Sequence, residues 1–105
     1  MTCKELRIKL HEECYHEGTL PSIAARIVSG LNCVEDYTIK PALSQIELHL
    51  NTASPSEIDF SSAITQALIE FISACGIEYS GDMTNMYNIL ISHVEGDKST
   101  VVIML

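Results

Sequence analysis

The stretch from His11 to Gly18, HEECYHEG, holds two histidines, three glutamates and a cysteine, side chains that could bind a metal ion or transfer a proton. Zinc proteases place two histidines four residues apart, so that both lie on one face of a helix. His11 and His16 are five residues apart, which separates them by about 140° on a helix and puts them on opposite faces of a strand. His11 and Cys14 could share an ion, but no further ligands follow at a characteristic spacing. We therefore predict no metal site and no cofactor.

The sequence carries no signature of an enzyme active site. A catalytic cysteine and histidine meet in space rather than along the chain, so the convergence of Cys33, His49 and His93 stays an open question at this point. No nucleophile elbow, dinucleotide fingerprint or phosphate-binding loop accompanies them. The four cysteines contain no C-x-x-C pair, which favours reduced thiols over a zinc or redox motif. We expect no catalytic residues and no enzyme activity.

Composition restricts the classes of function. A chain of 105 residues that is 47% hydrophobic can bury a core as a single globular domain, residues 1–105. Fourteen acids against six bases give a net charge of −8, which argues against direct nucleic-acid binding and favours a basic protein partner. No apolar run reaches the length of a membrane span or resembles a secretory signal, so we expect a cytoplasmic protein without membrane contact.

The first segment, residues 2–17, has a pattern compatible with two structures. Thr2 and Glu5 form a capping box, and Gly18 is suited to the end of a helix. Residues 5–10 instead alternate as a strand would, which leaves Ile8 on the wrong side of a helix. We favour the helix. A second helix is predicted from Thr19 to Gly30, and the short connection predicts an antiparallel helical hairpin.

The remaining elements follow from hydrophobic periodicity. Residues 31–42 are predicted as a loop, and residues 45–51 alternate as a strand with one solvated face. A long amphipathic helix is predicted from Ser56 to Gly76, followed by a β-hairpin whose last strand, VVIML, is apolar enough to lie inside the sheet. The predicted fold is α+β, an N-terminal helical hairpin followed by a β-α-β-β unit. Its small three-stranded mixed sheet has the order first-third-second and packs against the long helix.

Acidic side chains are the leading candidates for partner binding. A helix C-terminus favours cations, yet Glu12, Glu13 and Glu17 fall in the last turns of the first predicted helix. Residues that break a local rule occur preferentially at functional sites, so we predict that these three glutamates bind a partner together with Glu35 and Asp36. Tyrosine and methionine are enriched at interfaces, which makes the loop before the hairpin a secondary contact candidate, unless its methionines fill the core. Those secondary candidates are Tyr79, Met83, Met86 and Tyr87.

Small size, acidity and the lack of a catalytic signature are together typical of dedicated protein inhibitors. We therefore expect an immunity protein, an antitoxin-like inhibitor that neutralises a nuclease toxin by blocking its basic cleft. Three alternatives stay open: a homo-oligomeric or accessory subunit of a larger complex, a phage-encoded defence inhibitor, and a small enzyme or ligand-binding domain.

Overall fold

A computed structural model describes residues 1–14 and 16–105, without the side chains of Glu13 and Cys14. The described residues form an α+β fold with three α-helices and one four-stranded antiparallel sheet. The helices are α1 (Cys3–Lys9), α2 (Thr19–Ser29) and α3 (Phe60–Ala74), and the strands are β1 (Val34–Lys40), β2 (Gln45–Leu50), β3 (Asn88–Glu95) and β4 (Lys98–Met104). A π-helical turn, Leu10–Cys14, continues α1, and short 3₁₀ turns lie at Pro41–Leu43, Pro55–Glu57 and Thr84–Met86.

The sheet has the order β1-β2-β4-β3, and each neighbouring pair is antiparallel. One face packs on the helices, where Leu48 of β2 lies opposite Val101 of β4 and both are fully buried. The last strand lies between two neighbours, as its continuous apolar sequence predicts. The prediction of a three-stranded mixed sheet is wrong in detail, because the sheet is antiparallel throughout and contains an additional edge strand, β1.

Strand β1 occupies residues that the sequence analysis assigned to a loop. A bulge between Val34 and Asp36 breaks its alternation, and the strand is exposed along most of its length. Acidic residues are uncommon in strands but are tolerated on an edge. The segment was assigned to a loop because Glu35 and Asp36 are charged, a composition more typical of loops than of strands. The tight connection to β2 depends on Ser44, which adopts a left-handed conformation with φ of 50°.

The first segment is a helix, as predicted. The Thr2 hydroxyl accepts a hydrogen bond from the Glu5 backbone N–H at 3.1 Å, which caps α1. Leu6 is fully buried and Ile8 is 48% exposed. The strand-like alternation of residues 5–10 is therefore accommodated by leaving Ile8 in solvent. Helix α2 begins at Thr19 and is capped by Gly30, close to its predicted bounds.

Helix α3 begins later than its predicted start at Ser56. Residues Pro55–Glu57 form a 3₁₀ turn, and the α-helix starts at Phe60 after the N-cap Asp59. The Asp59 carboxylate accepts two hydrogen bonds from Ser62, one from its backbone N–H at 3.1 Å and one from its hydroxyl at 2.6 Å. Asp59 therefore fixes the start of the helix, because it satisfies a backbone donor of the first turn.

The Asp59 cap predicts a specific loss of stability in acid. The hydrogen bonds from Ser62 lower the pKa of the Asp59 carboxyl below its ordinary value of 3.8. The ionised cap therefore contributes stability that is fully present above pH 3.8 and is lost as the pH falls through the lower, folded-state pKa. Asp59→Asn keeps an acceptor oxygen but does not titrate, so its melting temperature should converge on that of the wild type in acid. A difference between the two melting temperatures that stays constant with pH would contradict this assignment.

Candidate protein-binding surface

The N-terminal acidic residues lie on the connection between α1 and α2. Glu12 is exposed in the π-helical turn, and Glu17 is exposed just before α2. The side chain of Glu13 lies outside the described residues. The last turn of α1 itself carries Arg7 and Lys9, which complement the helix dipole. The acids therefore follow the regular helix rather than occupy its final turn.

The connection is held by hydrogen bonds of His16. Its ring atom Nδ1 accepts from the Gly18 N–H at 3.0 Å, and its backbone N–H donates to the buried Thr19 hydroxyl at 2.9 Å. In the part of the chain that the structure describes, no group of three histidine, cysteine, aspartate or glutamate side chains could hold a metal ion. His16 thus orders the start of α2, and this leaves the neighbouring Glu17 in solvent.

Glu35 and Asp36 are exposed at the beginning of β1, where the bulge lies. The Lys98 ammonium donates to the Glu35 carboxylate, and this hydrogen bond raises the pKa of Lys98. Asp36 lies in register with His49 of β2. Glu35 is therefore partly neutralised by its own chain, and Asp36 is the stronger of the two as a source of negative potential.

The fold places Glu17 at the β1 edge of the sheet on the helix side, whereas Glu35 and Asp36 lie at the same edge on the opposite face. Glu17 lines an open depression of about 350 Å³ beside the end of β1. The other lining residues are His16, Leu20, Pro21, Ile39 and Pro41. Asp36 and Ile39 are three positions apart on the strand, which places the two acidic ends of this edge about 10 Å or more apart. Glu12 does not line the depression.

Several basic residues are paired with carboxylates within the chain. Lys40 pairs with Glu47 at 2.8 Å, and Arg26 Nε lies 3.7 Å from Glu70 Oε2. The hydrogen bond from Lys40 lowers the pKa of the Glu47 carboxyl. With the pair of Lys98 and Glu35, the ion pairs among the described residues hold three of the six bases. The remaining acids consequently dominate the surface potential.

Three of the four tyrosine and methionine side chains in the loop before β3 are buried, whereas a contact loop would expose them. Met83 and Met86 are each 5% exposed and Tyr87 is 7% exposed, and all three belong to the hydrophobic core. Tyr79 is half-buried, its hydroxyl donates to the Asp82 carbonyl at 3.2 Å, and burial raises its pKa. The structure thus agrees with the core-filling alternative for Met83 and Met86, and Tyr87 is buried beside them.

The strand histidines do not meet Cys33. His49 and His93 lie opposite Thr100 from the two sides of β4, on the sheet face away from the helices. Two strand spacings separate them by about 10 Å. Cys33 instead packs against the hydrophobic core. Each histidine instead lies close to an acid of its own strand, His49 at 3.5 Å from Glu47 and His93 at 3.1 Å from Glu95.

Sequence reasoning missed two exposed apolar features. Tyr37, in the middle of β1, is 39% exposed, and Leu90, Ile91 and Val94 of β3 are 52%, 42% and 48% exposed. The sequence contained one indication of this exposure. Only one long helix follows the first predicted strand, and a single helix can cover few strands. Identifying the uncovered strand required the order of the sheet.

Comparison of this chain with protein-family models, characterised proteins and solved structures found no match. Among the described helices, none has the length and apolar character needed to cross a membrane. The function must therefore be inferred from the chemistry of the chain's own surfaces.

Proposed function

We propose that this chain is a cytoplasmic binding protein that docks its β1 acidic surface, formed by Glu17, Glu35 and Asp36, onto a basic surface of another protein. The proposal depends on one observation: these acids of a strongly acidic chain are exposed at the β1 edge of the sheet, with Glu17 on the helix side and Glu35 and Asp36 on the other face. An inhibitor of the immunity-protein type fits this surface best. A nuclease toxin must present a basic cleft to bind phosphates, and an acidic protein seated in that cleft would exclude its substrate.

The centre of the β1 acidic surface has the character of an interface. Tyr37 lies in register with the buried Leu48, so its ring is on the helix side of the sheet, yet it remains 39% exposed. Exposed tyrosines are frequent binding hot spots when polar groups surround them. Asp36 lies on the opposite face of the sheet, because it is in register with His49, and Glu17 lies beyond Ile39 on the helix side, where the depression is mainly apolar. A partner that covers the β1 edge would contact Tyr37 together with acids on both faces of the strand, which supports specific docking rather than diffuse attraction.

Electrostatics predicts how this surface acts in the encounter. Complementary charge mainly raises the association rate, which reaches about 10⁸–10⁹ M⁻¹s⁻¹ at low salt in steered complexes. Added salt screens such steering, because the Debye length is about 8 Å at physiological ionic strength. We therefore expect a partner whose association with this chain slows as the salt concentration rises.

The test is charge reversal at the β1 acidic surface. The wild-type chain serves as bait, and the captured protein is purified and assayed for nuclease activity with and without the wild-type chain. In the double variant Glu17→Lys, Asp36→Lys, association with this partner should slow by at least about tenfold, because attraction at the docking surface becomes repulsion. Wild-type chain should abolish the nuclease activity, and the double variant should require a far higher concentration.

The matched control is Glu57→Lys, Glu78→Lys, which changes the net charge equally at exposed acids away from this edge. Its association rate should stay close to that of the wild type. Equal slowing in both variants would mean that only net charge matters and would reject the β1 acidic surface. A partner that binds normally but has no nuclease activity would reject the immunity-type role and retain the docking surface.

A further inference from the structure

We propose that two copies of this chain pair through β3, the strand at the other edge of the sheet, and join their four-stranded sheets into one of eight strands. Among the described strands, β3 pairs only with β4. Its second row of backbone N–H and C=O groups therefore faces outward along the eight residues from Asn88 to Glu95. Such an edge is a ready template for another strand.

Strand β3 is apolar on both of its faces. Leu90 is on the face away from the helices and is 52% exposed. The register shift between Ile91 and His93 places Ile91 opposite Val101 and Val94 opposite Ser99, so both are on the helix side. They are nevertheless 42% and 48% exposed. Burying these side chains between two copies would remove their apolar surface from water.

The exposure of Ile91 and Val94 has a simple cause in the layering of the fold. Their partners on β4, Val101 and Ser99, are 0% and 3% exposed. The covering layer therefore extends over β4 and stops short of β3 on the same face. Strand β3 is therefore an uncovered edge strand, with exposed apolar side chains on the helix side and outward-facing backbone groups along its edge.

The charge distribution selects the second copy as the occupant. Edge strand β1 carries Glu35, Asp36 and Lys40, a feature that discourages strand pairing. From Asn88 to Val94, His93 is the only residue with an ionisable side chain. A charged strand added here would bury its charge beside apolar residues at a cost. The chain's own β3 carries almost no charge, so two copies with a net charge of −8 approach each other here with little local repulsion.

The sequence of β3 is self-complementary in an antiparallel register. With Ile89 opposite Val94 of the second copy, Leu90 falls opposite His93 and Asn88 falls opposite Glu95. The bulge makes this register possible, because it places Ile89 and Val94 on one face and Leu90 and His93 on the other. The two-fold axis then repeats each pair. Ile91 falls opposite Ser92, the extra residue of the bulge, so the apolar helix-side pairs lie on both sides of the two-fold axis.

The expected interface is small, because it consists of one strand pair and its side chains. Interfaces below about 1,200 Å² of total buried area are typically weak or transient. We therefore expect a dissociation constant roughly in the micromolar range. The association should be visible as a concentration-dependent change from monomer to dimer.

The test compares Ile91→Lys with Ile69→Lys by analytical ultracentrifugation over a concentration series. Ile69 is 45% exposed on α3, so both variants place a lysine at a comparably exposed isoleucine. Wild type and Ile69→Lys should dimerise alike, whereas Ile91→Lys should raise the dissociation constant at least about tenfold, because an inward-pointing charge on an edge blocks pairing. Both substitutions reduce the net negative charge equally, so charge repulsion cannot explain a loss of dimer in one of them.

A second measurement does not depend on the folding of a variant. Hydrogen exchange of the wild-type chain should slow at the outward-facing amides of β3 as protein concentration rises, while the amides of β1 stay unchanged. A wild-type chain that remains monomeric at millimolar concentration would overturn the proposal, as would a dimer that Ile91→Lys leaves intact. Because the test concerns β3, its outcome is independent of partner docking at the β1 acidic surface.

Discussion

Truncation of the chain after Thr100 is expected to abolish folding. The deletion removes most of β4, the strand that pairs with β2 on one side and β3 on the other. Val101 and Ile103 are fully buried in the core, and their loss would leave the backbone groups of both neighbouring strands unpaired. Domains of this size are stable by only about 5–15 kcal/mol. The loss of the buried side chains and of the strand's hydrogen bonds should exceed this stability, so the sheet should not form. Circular dichroism should show no cooperative thermal transition in the truncated chain.

A shorter deletion provides the control. Removal of Met104 and Leu105 takes away one residue of β4 and the bond from the Leu105 N–H to the Ser44 carbonyl at 2.9 Å. Both side chains are half-buried at the end of the sheet, so this variant should melt cooperatively at a lower temperature. If the longer truncation retained a cooperative transition, the central position of β4 would be refuted.

The elements that sequence analysis predicted well are those whose pattern is regular and whose ends carry a strong signal. Helix α2 has apolar residues at helical spacing, a proline in its first turn and Gly30 at its end. Strand β2 alternates strictly between buried and half-buried residues. The position of β4 followed from apolar residues on both faces, which only a strand with two neighbours can bury. In each case the local preference and the tertiary environment agree.

The elements that were missed or misplaced are those in which tertiary structure decides between local alternatives. Strand β1 forms because it pairs with β2, although the bulge near Asp36 and the adjacent acids obscure its alternation. Ser56 and Asp59 are both competent helix caps in the sequence. The 3₁₀ turn that begins at Pro55 settles the choice, because it leaves Asp59 as the residue that meets the Ser62 N–H.

The candidate surfaces were predictable only in part for the same reason. Exposure of Glu17, Glu35 and Asp36 follows from their charge. Their placement along one edge does not, since it depends on α2 packing beside β1. The sequence of this polar, turn-rich loop likewise does not indicate whether Met83 and Met86 face the core or the solvent, because it has no hydrophobic periodicity. The apolar edge of β3 became recognisable only when β4 was found between β2 and β3.

Phe71→Ala is expected to lower the free energy of unfolding by about 3–5 kcal/mol, the usual range for removing a buried aromatic ring. Phe71 is 8% exposed on the inner face of α3. It borders a small, mostly apolar cavity where α1, α2 and α3 meet. The other lining residues are Arg7, Leu10, His11, Thr19, Ile23, Leu68, Met86 and Leu105. Truncation would enlarge this cavity, and the free energy of unfolding from urea denaturation measures the loss.

The size of the loss depends on whether the surrounding side chains can collapse into the space. Leu10 and Ile23 belong to helical segments fixed by other contacts in the same core, so a large part of the cavity should persist and the cost should include more than the transfer of the ring to water. Ile69→Ala on the same helix is the matched control, because Ile69 is 45% exposed and surface substitutions typically change stability by less than about 0.5 kcal/mol. A loss below about 1 kcal/mol for Phe71→Ala would mean that its ring lies outside the core that joins the three helices.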